Sequence, residues 1–209
     1  MSVILVNGSA HTKGCTFTGL SEVAKALNAN GIKTEIFQLG SKPIAGCCGC
    51  RQCNGFCVKY KDDKVNEFLR LVYEKKFDGF VFGTPVHYAS ANGALTSFMD
   101  RAFFSSDKSF FIGKPAACVV SCRRGGATAT FDQLNKYFTI THMPIVSSQY
   151  WNQIHGGVAK EAVQDIEGIQ TMRTLGRNMA WIIKCIKAGQ SQGIEFPTPE
   201  PVTHTNFIR

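Results

Sequence analysis

Val3-Ile4-Leu5-Val6-Asn7-Gly8-Ser9-Ala10-His11-Thr12-Lys13-Gly14-Cys15-Thr16 reads as a buried strand, a tight polar loop and the start of a helix. A short, continuous apolar run such as Val3–Val6 suits a strand covered on both faces of a parallel sheet. Beyond the loop, Phe17 to Asn28 places Leu20, Val23, Ala24 and Leu27 on one helical face. Gly31 follows as a helix-ending glycine.

Outward from this unit the same alternation repeats. Thr34–Gln38, Gly79–Phe82, Ala116–Val120 and Ile145–Ser148 are further strand candidates. Helical patterns lie between them at Val65 to Tyr73, Asn92 to Phe104 and Thr128 to Phe138, with Asp62 or Asp63 available to cap the first of these. A last helix is expected from about Ala159 to Lys187, with Gly168 and Gly176 as break points. This order predicts a doubly wound α/β fold with right-handed crossovers. With no repeat and no internal linker, residues 1–190 are expected to form one domain. Residues 191–209 form an extended tail, because Pro197, Pro199 and Pro201 exclude a helix. The tail carries Ile194, Phe196, Phe207 and Ile208 and is expected to pack on a neighbouring subunit.

Composition narrows the function. The 209 residues are 44% hydrophobic and 18% charged, which is globular rather than disordered. Lys plus Arg is 23 and Asp plus Glu is 15, so the net charge is 23 − 15 = +8. The charges are scattered, with Lys75-Lys76 and Arg123-Arg124 the tightest groups. A nucleic-acid surface would show a denser stripe with interleaved aromatics. Solvated faces, or attraction of phosphate-bearing small molecules, fit better. No apolar run reaches the ~18 residues of a membrane helix. The first residues lack the basic flank and long apolar region of a signal peptide. Nine cysteines, five of them between Cys47 and Cys57, fit a reducing, cytoplasmic setting better than a disulfide framework.

In such a sheet, ligands bind outside the carboxyl ends of the strands. The first loop is neither Gly-x-Gly-x-x-Gly nor a Walker A sequence. It nevertheless has the parts of an anion cradle: hydroxyls of Ser9 and Thr16, close backbone approach at Gly8 and Gly14, and the helix N-terminus. A tight, single loop suits a phosphate monoester. The loop after the third strand, Gly83 to Gly93, offers Pro85, the flat Tyr88 and the polar Thr84, His87, Ser90 and Asn92. The loop after the fourth, Ser121-Cys122-Arg123-Arg124-Gly125-Gly126-Ala127, lets backbone pass close to a flat ligand.

Gly8-Ser9, Gly14-Cys15-Thr16, Gly83 to Tyr88 and Asp100-Arg101 together resemble the NAD(P)H-dependent FMN reductase family of flavodoxin-like proteins. The cysteine-rich segment is similar to its iron–sulfur flavoprotein branch. The resemblance implies a five-stranded parallel sheet of order 2-1-3-4-5 with FMN at the switch point. It also implies that Ser9, His11, Gly14, Cys15 and Thr16 hold the FMN phosphate. Thr84, Pro85, Val86, His87 and Tyr88 would contact the isoalloxazine, and Ser121 to Gly126, with Arg124 and Gly125 between them, would line its far side. Where Cys15 stands, the family often has Asn. A homodimer or homotetramer, with the flavin at a subunit boundary, is the corresponding expectation.

The cysteine segment leaves three readings open. Cys47-x-x-Cys50-x-x-Cys53 has the spacing of a compact [4Fe–4S] site, with Cys57 as fourth ligand and Cys48 without a role. A zinc staple and free thiols, including a redox-active Cys50–Cys53 pair, are the other two. The sequence therefore predicts an oxidoreductase that takes hydride from NAD(P)H on FMN. Its acceptor would be a flavin, a quinone, a nitro compound, oxygen or an iron–sulfur centre. His87, His155 and Arg124 are the side chains best placed to orient substrate, although His155 reads more readily as structural. An iron–sulfur flavoprotein acting as an electron carrier between proteins is the alternative. The +8 charge weighs against a flavodoxin proper, since those tend to be acidic.

Overall fold

The computed structural model describes residues 1–206, so the expectation for Phe207 and Ile208 lies outside the described residues. The elements run β1 (Ser2–Asn7), α1 (Cys15–Ala29), β2 (Lys33–Gln38), α2 (Lys64–Lys75), β3 (Gly79–His87), β4 (Ser90–Ala91) and α3 (Gly93–Ser105). They continue with β5 (Ala116–Cys122), α4 (Ala127–Ile140), β6 (Gln153–His155), α5 (Ala159–Ala162) and α6 (Ile166–Ser191). The sheet order is β2-β1-β3-β5-β6, all parallel, with the two-residue β4 turned back antiparallel on β3. Without β4 this is the expected five-stranded 2-1-3-4-5 order, and the flavodoxin-like class holds.

Strand alternation divides the core into two layers. Val3, Leu5, Val81 and Val119 face α1 and α6. Ile4, Val6, Phe80, Phe82 and Val120 face α2, α3 and α4 through a cluster rich in phenylalanine. Both faces are covered, which is why the strands read as unbroken apolar runs rather than as alternating ones.

Three expectations need correction. The fifth strand is not Ile145–Ser148. Ile145 makes only an isolated bridge to Ala116, the chain then leaves the sheet, and β6 pairs with β5 from Gln153 to His155. The last helix does not begin at Ala159. α5 is a four-residue turn, and Asp165 caps a new helix by accepting from Gly168 N–H at 2.9 Å. Nor does Gly176 break that helix. A Cβ there would lie 2.7 Å from Ala26 Cβ and from the Val23 carbonyl, so the glycine lets α6 cross closely over α1. The start of the tail lies on its own chain, where the Phe196 ring covers Gly113. Among the described residues, no helix is long and apolar enough to cross a membrane.

Candidate functional site

The parallel sheet reverses its direction of winding between β1 and β3, and a cleft of about 580 Å³ opens at the carboxyl ends there. Its walls come from four places. The β1–α1 loop supplies Ser9, His11, Thr12, Lys13, Gly14, Cys15 and Thr16. Pro85 and Val86 come from β3, and Ser121, Cys122 and Arg123 from the end of β5. Gly156, Gly157, Val158 and Ala159 follow β6.

The β1–α1 loop is braced from below. Buried Asn7 donates to Gln38 Oε1 at 2.6 Å, Gln38 donates to the Ser9 carbonyl at 2.6 Å, and Ser9 N–H donates to Asn7 Oδ1 at 3.1 Å. Ser9 Oγ accepts from His11 N–H at 3.1 Å, which folds the loop back on itself. Gly8 N–H donates to the Gly83 carbonyl at 2.8 Å, and a Cβ on Gly8 would stand 2.7 Å from that oxygen. Only glycine allows β1 and β3 to close this far.

Helix α1 then starts at Gly14 with no side-chain cap and no acidic residue in its first turn. Its first N–H groups are free to meet an anion, with Lys13 and the buried hydroxyls of Ser9 and Thr16 alongside. Cys15 does not need its thiol for a ligand. Its Sγ donates to the Gly156 carbonyl at 3.3 Å and tethers the loop after β6. Burial pushes this thiol up, and the Glu161 charge adds to the rise, so Cys15 stays protonated.

The structure therefore brings Ser9, His11, Gly14, Cys15, Thr16, Pro85, Val86 and Ser121 together around one cleft. It places the remaining expected contacts differently. β3 runs on through Gly83 to His87, so Thr84 is a buried strand residue whose hydroxyl accepts from Asn92 N–H at 3.0 Å. His87 leads into a two-residue hairpin turn in which Tyr88 and Ala89 have φ of 49° and 59°. Tyr88 stands fully exposed at its tip and is not part of the cleft wall. Arg124 and Gly125 are exposed beyond the rim. Gly126, at φ 92°, has its role under the hairpin, where a Cβ would meet Ala89 Cα at 2.6 Å. His155 lies with Nδ1 3.5 Å from the Asp165 carboxylate, on the outer side of β6.

The sequence does not single out Lys13 or the Gly156-Gly157 turn, which line the cleft together with Arg123 of the expected Ser121–Gly126 wall. The glycine pair was the available signal. A turn is a ligand loop only where a strand ends, so the pair gains meaning only from β6 ending at His155.

The cysteine segment follows β2. Cys47 is exposed, Cys50 and Cys53 are half-buried, and Cys57 is buried. Burial pushes the Cys53 thiol up against a lowering Val58 N–H, and Cys57, Cys50 and Cys47 add to the rise, so all three lie within electrostatic reach of Cys53. Among the described residues, no three His, Cys, Asp or Glu side chains are gathered tightly enough to hold a single metal ion. A four-iron cluster spans more space than one ion, and the other three cysteines picked out by spacing all lie within electrostatic reach of Cys53. Cys57 is held firmly. Its N–H and C=O both bond the buried Asn66 amide at 2.9 Å. Burial raises its thiol, but N–H groups of Tyr60 and Lys59 and the Arg101 guanidinium outweigh this and hold it below the usual range.

A second cavity, of about 610 Å³, lies at the amino ends of the strands beneath the start of the tail. It has the greater volume, but it is far from the loops that carry free helix N–H groups, and Ile112, Ile183, Ile194 and Phe196 make it largely apolar.

Fold and cleft together define a flavin-binding protein class, and the comparisons agree. The family described as NADPH-dependent FMN reductase matches residues 1–156, and this chain belongs to it. An iron–sulfur flavoprotein of Methanocaldococcus jannaschii is 32% identical over 200 residues, covering 90% of this chain and all of that one. An Archaeoglobus fulgidus iron–sulfur flavoprotein is 30% identical over 122 residues, 57% of this chain and 54% of its own. Among solved structures, RosB with a bound 8-demethyl-8-formylriboflavin-5'-phosphate intermediate shares the fold at a TM-score of 0.69. Its sequence is 13% identical, and the alignment covers 100% of this chain and 94% of RosB. A flavodoxin from the Archaea aligns at a TM-score of 0.59 with 15% identity, over 88% of this chain and 99% of that one. The chain is a flavin oxidoreductase of this family.

Proposed function

We propose that this protein binds FMN in the cleft at the carboxyl ends of β1, β3 and β5 and oxidises NAD(P)H there, passing electrons to a second acceptor. The observation that carries this reading is the uncapped N-terminus of α1, with Lys13 and the hydroxyls of Ser9 and Thr16 around it. An unbonded helix terminus beside a cation and two hydroxyls suits a terminal phosphate. The cleft volume also lies within the range of about 300–1,000 Å³ usual for small-molecule sites. Bound FMN would supply hydride acceptance from a nicotinamide and electron release to the acceptor. The protein's own part is to hold and orient. Ser9, Thr16 and the first N–H groups of α1 hold the phosphate, Pro85 and Val86 border the ring, and Arg123 adds positive charge at the rim. No side chain is required as acid, base or nucleophile.

The chemistry of reduced flavin suits a flavin, a quinone, a nitro compound or oxygen as the acceptor. The cysteine segment favours a second reading in which the acceptor is a [4Fe–4S] centre on Cys47, Cys50, Cys53 and Cys57 and electrons leave to a redox partner protein. Its support is the electrostatic reach from Cys53 to the other three sulfurs and the similarity to iron–sulfur flavoproteins. A homodimer or homotetramer would place the flavin at a subunit boundary in either case.

An absorption spectrum of anaerobically purified protein, with iron analysis and an NAD(P)H oxidation assay, tests both readings. Flavin bands with turnover of NAD(P)H are expected. About four irons per chain, abolished in Cys50→Ser, would add the cluster. Protein that neither retains nor takes up FMN would refute the reductase reading. Yellow protein free of iron after iron-replete, anaerobic preparation would refute the cluster alone.

A further inference from the structure

Arg101 has the largest fully buried side chain described, at 2% exposure, and each of its hydrogen-bond partners lies in or beside the cysteine segment. Nε–H donates to Cys57 Sγ at 3.4 Å. One terminal nitrogen donates to the Ala45 carbonyl at 3.3 Å and pairs with the Asp63 carboxylate, and the other donates to the Tyr60 carbonyl at 3.0 Å. The guanidinium carbon lies 4.8 Å from the centre of the Tyr60 ring.

A buried cation is costly unless it is paired. Asp63 supplies the countercharge, and it is held by its own work as the cap of α2, accepting from Val65 N–H at 3.0 Å. The ion pair and two carbonyls would already satisfy a purely structural arginine. Of the two donors then left, Nε–H is directed at a sulfur, a soft acceptor that bonds well only when it carries negative charge. Cys57 is also the one cysteine of the four that is buried, with its backbone clamped by Asn66. Main chain and sulfur are thus fixed from two different helices, α2 and α3.

The same helix is anchored at its start to β3, the strand that supplies Pro85 and Val86 to the cleft. Asn92 caps α3 by accepting from Ala94 N–H at 2.7 Å, and its own N–H donates to Thr84 Oγ1 on β3. Nine residues later comes Arg101, about 13 Å along the axis at 1.5 Å per residue. Between them Ser97 lies against Gly46 of the cysteine segment. One rigid element therefore joins the strand beside the cleft to the sulfur.

We infer that Arg101 is a positioning residue for the iron–sulfur site, fixing Cys57 Sγ as a ligand through Nε–H and setting the potential of a cluster bound there. This rests on the cluster reading above. A cation and an N–H donor at a ligating sulfur stabilise the more negative, reduced state, and so raise the potential.

The test uses full-length protein, prepared anaerobically with iron and sulfide, as wild type, Arg101→Lys and Arg101→Met. Iron per chain, cluster midpoint potential by EPR-monitored titration, FMN affinity and thermal midpoint are read for each. The expected result is that Arg101→Met loses its iron while retaining FMN. Arg101→Lys, which keeps the charge but not the fork, should retain iron at a more negative cluster potential with an unchanged flavin potential. Wild-type iron content and potential in both variants would overturn the inference. So would a lower thermal midpoint in Arg101→Lys with the cluster potential unmoved, since that marks an ion pair serving the fold alone. Iron-free wild-type protein refutes the cluster reading, and the inference with it, and is seen in the wild type before any variant is compared.

Discussion

Thr16, on the first turn of α1, and Ser121, at the end of β5, bring their hydroxyls to 2.7 Å across 105 residues of sequence. Ser121 Oγ is also 3.5 Å from the Thr84 carbonyl on β3. When Ser121 donates to Thr16, the Thr16 O–H is free for an anion in the cleft. When Ser121 turns to the Thr84 carbonyl, Thr16 donates to Ser121 and the network closes. The pair can adapt to a ligand by rotating two hydroxyl hydrogens, with no movement of heavy atoms.

The phosphate loop gives the first prediction. Ser9→Ala with Thr16→Ala should weaken FMN binding, because hydrogen bonds to a charged group contribute roughly 1.5–3 kcal/mol each, about one to two decades in affinity per bond. Fluorescence titration of the apoprotein with FMN measures it. Unchanged affinity in the double variant would place the phosphate elsewhere.

Gly8 tests the approach of β1 to β3. Its Cβ would stand 2.7 Å from the Gly83 carbonyl oxygen, which is backbone and cannot swing aside. Gly8→Ala should cost about 1–3 kcal/mol, the usual range for overpacking. At about 2–4 °C per kcal/mol for a chain of this size, the thermal midpoint falls measurably. A wild-type midpoint would show that the strands separate there without penalty.

Tyr88 is fully exposed, so its ring contributes no core packing. Tyr88→Ala should leave stability within about 0.5 kcal/mol. If the hairpin tip meets the flavin ring, the variant changes flavin affinity or reduction potential, read by titration and by redox-dye equilibration. Normal flavin behaviour with a lighter particle in light scattering would instead make Tyr88 a subunit contact.

Lys114 predicts a pH dependence. Burial brings its amine down to about 8, with Asp78 opposing the shift and Lys187 and Lys76 adding to it. Its folded pKa is therefore below its unfolded value of 10.5. Above pH 8 the folded protein sheds a proton that the unfolded chain still binds, so this group makes stability rise with pH up to about 10.5. Below pH 8 both states are charged and the desolvation cost is constant. Lys114→Met should raise the thermal midpoint near neutral pH and flatten the rise above it. A variant with the wild-type pH profile would assign the rise to another group.

The order of strands and helices, the tight polar loop between β1 and α1 and the spacing of Cys47, Cys50, Cys53 and Cys57 were all legible in the sequence, because each depends on residues close together in the chain. Val3 to Val6 must be buried on both faces to be so apolar, and Gly8 and Gly14 mark where backbone comes close. What adjoins what across the fold was not legible. The split of the fifth strand is decided by pairing with β5, whose edge bonds Pro144 and Val146 around Ile145 and takes up the chain again only from Asn152 to His155. That pairing brings Gly156 and Gly157 to the cleft and gives Cys15 its carbonyl partner. Likewise nothing near Arg101 in sequence announces Cys57, 44 positions away. Only the packing of α3 along the cysteine segment removes water from that guanidinium, and a buried cation must then find its acceptors in whatever the fold has placed beside it.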